Sequence, residues 1–174
     1  MANKLQVNRA PVLTLWASVV AERLGHERAT ALTLGRAVAG LFAQSKGQRL
    51  GIYEPGGKGG AQRKVPSRAA RVRDIEFMNR LIPTVRTADG VRAVVGGRPM
   101  DPQSVERYLK ARFGENLGEA RRTLQKLANA YEGEELSAQA YGLYERFRPT
   151  IPRGAKGWGA KGELDLDLIR SLIP

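Results

Sequence analysis

The chain has 174 residues, enough for one ordinary domain with its own core, and its 42% hydrophobic content is that of a globular rather than a disordered chain. Lys and Arg number 29 against 17 Asp and Glu, a formal charge of +12 that usually accompanies a nucleic acid, an anionic membrane or an acidic protein partner. Cysteine is absent, which excludes disulfides, thiolate zinc sites and a cysteine nucleophile, and no apolar run approaches the ~20 residues needed to span a bilayer.

The excess charge is not spread evenly. Residues 1–100 hold 17 basic and 6 acidic side chains, whereas residues 101–174 hold 12 and 11. Arg-rich usage can reflect base composition, but that bias does not explain why acids are scarce in one half only.

Taken in order, Pro11 to Leu24 opens with proline in a first helical turn and repeats Val12, Trp16, Val19 and Val20, which predicts an amphipathic helix ending at Gly25. Lys4 and Arg9 before the apolar run mimic a signal peptide. The run is short, keeps helical periodicity and passes into Glu22-Arg23 without a small-residue cleavage site, so the expectation is a cytoplasmic chain with no membrane partner. A second helix, about Glu27 to Ser45, is apolar nearly all round, with Gly35, Ala39 and Ala43 on a face that admits a close neighbour. Ala21 to Leu34, with Gly25 at the turn and Ala31 and Leu34 on the following helix, resembles the helix-turn-helix of DNA-binding proteins. That resemblance implies a recognition helix presenting Arg28, Thr30, Thr33 and Arg36.

Leu50 to Tyr53 reads as a short extended piece, and Pro55 ends it. Gly56 to Arg73 follows, carrying Lys58, Arg63, Lys64, Arg68, Arg71 and Arg73 and no acid, a cationic Gly-rich arm suited to a polyanion. Val72 to Leu81 is compatible with either helix or strand. In Ile82 to Val95, Asp89-Gly90 between β-branched runs predicts a β-hairpin with Arg86 and Arg92 near its tip, and Pro83 suggests an edge strand or a strand start. Gly97-Arg98-Pro99 contains the core of the minor-groove AT-hook, flanked by Val95 and Met100 where that motif has basic residues.

Asp101-Pro102 supplies an N-cap and a first-turn proline for a helix ending near Gly114 on Val105, Tyr108, Leu109 and Phe113. Two more helices follow, on Leu117 to Tyr131 and on Glu134 to Phe147. Residues 101–148 hold 8 basic and 8 acidic side chains, the profile of scaffold. The tail repeats Gly-Ala-Lys-Gly around Trp158, so Lys156 and Lys161 with Trp158 could line a strand of phosphates and a base. A last helix spans Glu163 to Leu172.

Chemistry is sparse. Gly157 to Gly162 matches G-x-G-x-x-G but lacks the flanking strand and helix of a dinucleotide site, and Gly56 to Gly60 is no P-loop. His26, the single histidine, falls in an interhelical turn. The expectation is therefore a mainly α fold with a small β-hairpin: a helical bundle with a helix-turn-helix or winged-helix-like N-terminal half. Within one domain these parts are a helical hairpin (1–48), the arm (49–74), the hairpin region (75–100), and bundle with tail (101–174). The expected function is non-catalytic binding of nucleic acid, duplex DNA first, with no cofactor or metal. Lys58, Arg63, Lys64, Arg68, Arg71 and Arg73 would meet phosphates, and Arg86, Arg92, Lys156, Trp158 and Lys161 would extend the track. Two alternatives stand beside it. One is an assembly module, homo-oligomeric through Gly35, Ala39 and Ala43 or bound to an acidic partner; the other is a nucleic-acid enzyme using Glu54, Asp74 or Glu76.

Overall fold

The computed structural model describes residues 4–49, 72–151 and 162–174, with the backbone alone for 43–49. Strand β1 (Lys4–Val7) leads into helix α1 (Arg9–Arg23) and helix α2 (Arg28–Arg49). An antiparallel meander follows, β2 (Val72–Phe77), β3 (Arg80–Thr87), β4 (Gly90–Val95) and β5 (Arg98–Pro99), paired in that order. Helices α3 (Pro102–Phe113), α4 (Leu117–Asn129) and α5 (Gly133–Phe147) come next, then β6 (Gly162–Asp165) and α6 (Leu166–Ser171). The fold is mixed α and β, with helix in the majority and a four-stranded sheet where a single hairpin was expected.

Helix α1 is the centre. Every residue from Pro11 to Ala21 is buried, so it has no solvent face and is not the amphipathic helix its periodicity suggests. Its polar side chains are satisfied in place: Thr14 Oγ1 donates to Ala10 O (2.9 Å), Ser18 Oγ to Leu15 O (2.8 Å) and Trp16 Nε1 to Ala140 O (2.8 Å). α2, α3, α4 and α5 all contact it. α2 crosses it closely because Gly35 has no Cβ; one built there would lie 2.5 Å from Thr14 O. Gly35 and Ala39 are buried inside the chain, which removes them from any association face.

The sheet is attached to α2 by hydroxyls. β5 pairs only with Val94 and Val95, which leaves the outer edge of β4 short of partners. Thr30 Oγ1 donates to Val91 O (2.7 Å), and Thr33 Oγ1 accepts from Ala93 N (3.0 Å) while donating to Thr30 O (2.8 Å). Covering an open strand edge in this way blocks intermolecular pairing. Phe77, Ile82 and Ala93 of one sheet face join the common core.

Val72 to Leu81 is resolved as strand, turn and strand, with Met78 and Asn79 at φ +50° and +64° in a two-residue loop whose twist matches the flanking strands. The Asp89-Gly90 hairpin forms, but β3 is an interior strand. Pro83 sits where β3 pairs only with β2, and the ladder to β4 begins one residue later at Thr84–Ala93. Asp101 caps α3 by accepting from Gln103 N (2.9 Å), and Gly114 terminates it at φ +59°. At the C-terminal end the expected helix from Glu163 is split. Gly162–Asp165 pairs with β1, and the Asp165 carboxylate caps α6 through Asp167 N (2.9 Å) and Leu168 N (3.3 Å).

Candidate nucleic-acid interface

Arg73 and Arg86 are brought together by the β2–β3 register. Arg73 faces Thr84, and Arg86 lies two residues further along β3 on the same sheet face, a diagonal spacing of about 7–8 Å. Both are exposed, and neither meets a carboxylate among the described residues. They stand where the acid-free segment enters the sheet. Arg92 is different: it is 7% exposed, and its guanidinium donates to Val91 O (2.9 Å) and Asp89 O (3.1 Å). It holds the β3–β4 turn together, with Nη1 and Nη2 each bonded to a backbone carbonyl of the turn region. Lys58, Arg63, Lys64, Arg68, Arg71, Lys156, Trp158 and Lys161 lie outside the described residues, as do Glu54 and the Leu50–Tyr53 piece.

A recognition helix is not available. α2 does follow a turn with Gly25 at φ +108°, but it is packed between α1, the sheet and α3. The four polar side chains expected on its outer face all have internal partners. Thr30 and Thr33 bond β4, Arg28 pairs with Glu106 (3.7 Å), and the Arg36 guanidinium lies 4.2 Å from the Tyr108 ring centroid. Gly97-Arg98-Pro99 is likewise folded, as the last turn and strand of the meander, not an extended hook.

A second cationic group was not foreseen. Arg36 from α2 and Arg112 from α3 lie over Tyr108, Arg112 at 5.5 Å from the ring centroid, Arg98 from β5 lines the cavity that Tyr108 also lines, and none of the three has an acidic partner among the described residues. The neighbouring acids are engaged elsewhere. Glu106 accepts two hydrogen bonds from Arg121 (3.0 and 2.8 Å), which hold its carboxyl below the usual carboxylate range against the opposing effect of burial, helped by the charges of Arg121, Arg28 and Lys110. Arg80 stacks over Phe42 at 4.5 Å, and Phe42 stacks on Tyr141 at 4.3 Å, so this arginine also keeps an aromatic base under its charge.

An open groove of about 920 Å³ runs between the α2 N-terminus, the β3–β4 turn and α3. Arg28 and Arg92 line it together with Asp89, Asp101 and Glu106, a mixed wall that does not select a polyanion. Asp74 and Glu76 share the outer face of edge strand β2 by the two-residue period, both exposed. Among the described residues no group of three or more His, Cys, Asp or Glu is placed to hold a metal ion. No described helix is long and apolar enough to cross a membrane. The chain matches no protein-family model, no curated protein and no solved structure.

Proposed function

We propose that the protein binds nucleic acid through its phosphates, without catalysis and without reading bases from a recognition helix. The observation that carries this reading is the pair Arg73 and Arg86, exposed on one sheet face at the root of a segment whose other cations, Lys58, Arg63, Lys64, Arg68 and Arg71, are accompanied by no acid. Cations that neutralise phosphates release the condensed counterions of a polyanion, and Arg73 and Arg86 meet no carboxylate among the described residues. Duplex DNA is the favoured substrate. Among the described residues the aromatic rings near surface cations, Tyr108 and Phe42, lie against arginines rather than open as the stacking platforms that single-strand binders use.

The test is binding of a fluorescent random-sequence duplex by wild type and by the double variant Arg73→Gln/Arg86→Gln. Each phosphate contact contributes about −0.9 to the slope of log affinity against log salt, so the double variant is expected to flatten that slope by about 2 units. An unchanged slope with unchanged affinity refutes the assignment of these two residues.

A further inference from the structure

Between β4–β5 and α3 lies a cavity of about 310 Å³ whose lining includes two arginines and no carboxylate. Arg36 and Arg98 supply its positive charge. The Arg36 guanidinium carbon lies 4.2 Å from the Tyr108 ring centroid, a cation–π contact that keeps this charge beside the cavity before any ligand arrives. Asp101 is turned to the α3 cap and Glu106 to Arg121, which leaves nothing acidic to compete. The remaining walls are apolar, contributed by Val95, Met100 and Val105. Ser104 also lines the cavity, but its hydrogen is donated to Asp101 O (2.7 Å), so Oγ can only accept from a ligand.

A site with two donor-only cations, an apolar wall and one acceptor is not matched by phosphate alone. The volume lies at the small end of ligand sites, ~300–1,000 Å³, which admits one nucleotide unit and no length of duplex. We infer that this cavity binds a nucleoside monophosphate unit. Its phosphate lies on Arg36 and Arg98, its base lies against the apolar wall, and a sugar hydroxyl or base amino group donates to Ser104 Oγ. The unit can come from a free nucleotide or from the phosphorylated end of a strand. This site stands independently of the Arg73–Arg86 track.

The test is calorimetric titration of the full chain with dTMP, thymidine and inorganic phosphate, followed by displacement of dTMP with 5′-phosphorylated and 5′-hydroxyl duplexes. dTMP is expected to bind more tightly than about 1 mM, with thymidine and phosphate each about tenfold weaker or worse. Arg98→Gln, at an exposed position on a two-residue strand, and Arg36→Gln are each expected to weaken dTMP about tenfold, the effect of one charge-assisted hydrogen bond. Arg73→Gln/Arg86→Gln is expected to leave dTMP binding unchanged while altering duplex binding, which separates this site from the phosphate track. Preferential displacement by the phosphorylated duplex assigns the strand end as the source, displacement by neither duplex assigns the free nucleotide, and equal displacement by both overturns the proposal. No saturable dTMP binding, phosphate binding as tightly as dTMP, or wild-type affinity in both single variants overturns the proposal.

Discussion

Gly35 and Gly40 lie five residues apart on α2, and the same substitution at each is expected to act with opposite sign. At Gly35 an added Cβ would sit 2.5 Å from Thr14 O and 2.9 Å from Ser18 N, both backbone atoms in the buried stretch of α1. Ordinary contact begins at 3.4 Å, so α1 and α2 must part by about 0.9 Å, the difference between those distances. A gap of that size forfeits a quarter to a half of each dispersion contact across the crossing, and overpacking of this kind costs about 3 kcal/mol. Replacing glycine inside a helix returns ~1 kcal/mol of propensity, leaving Gly35→Ala about 2 kcal/mol less stable than wild type. At Gly40 an added Cβ meets nothing within 4 Å, so Gly40→Ala should gain up to ~1 kcal/mol. For a chain of this size the resulting ~3 kcal/mol separation corresponds to roughly 6–12 °C in Tm. Thermal unfolding followed by circular dichroism reads it directly. A Gly35→Ala protein melting at or above wild type would show that the α1–α2 crossing is not as close as described.

Three further outcomes follow from the polar contacts. Thr33→Val leaves the buried Ala93 N–H without its acceptor and should cost about 1–3 kcal/mol in urea unfolding, while Thr33→Ser keeps the bond and should cost clearly less; equal losses would contradict the edge-capping role. Glu106→Gln should cost about 1–2 kcal/mol at pH 7, because the Arg121 side chain is only 13% exposed and loses its charged partner. Since folding lowers the Glu106 pKa, its contribution is complete above the ordinary carboxylate value and disappears as pH falls through the lowered one, so the two proteins should converge in stability under acid; a constant gap would refute the linkage. Burial lowers the His26 pKa, so the fold favours the neutral ring; stability should decline as pH falls below about 6.5, and His26→Gln should flatten that part of the pH profile.

The elements legible in the chain were those whose signals are local. Asp101-Pro102 and Gly114 bracket α3 because cap, first-turn proline and terminating glycine act within one turn of their own helix. β2 escaped because Val72 and Leu81, apolar residues that suggest a buried face, are exposed at 38% and 63%, while its turn is made by Met78 and Asn79 at positive φ, and methionine gives no turn signal. β1 and β6 are four residues each and pair across most of the chain, a partnership no local pattern encodes. The burial of α1 was hidden by Thr14 and Ser18, which read as polar positions yet bond carbonyls of their own helix.

The cationic surface divides in the same way. Arg73 and Arg86 are close in sequence terms once the β2–β3 pairing is known, so counting charge along the chain found them. Arg36, Arg98 and Arg112 come from three separated segments, and Arg112 lies in a stretch whose charges balance on paper. In space that balance is local: Glu106 neutralises Arg121 and Arg28, and Arg112 is left beside Arg36. Arg92 shows the converse, an arginine at a hairpin tip by sequence that the fold turns inward onto its own turn.

The central claim is tested most directly by fluorescence anisotropy of a labelled random-sequence duplex over a series of salt concentrations, comparing wild type with the quadruple variant Arg63→Ala/Lys64→Ala/Arg68→Ala/Arg71→Ala. Phosphate binding through the cationic segment requires a steep log-log salt slope in the wild type that flattens by about 3–4 units in the variant. Absence of binding at low salt, or the same slope in both proteins, would contradict it.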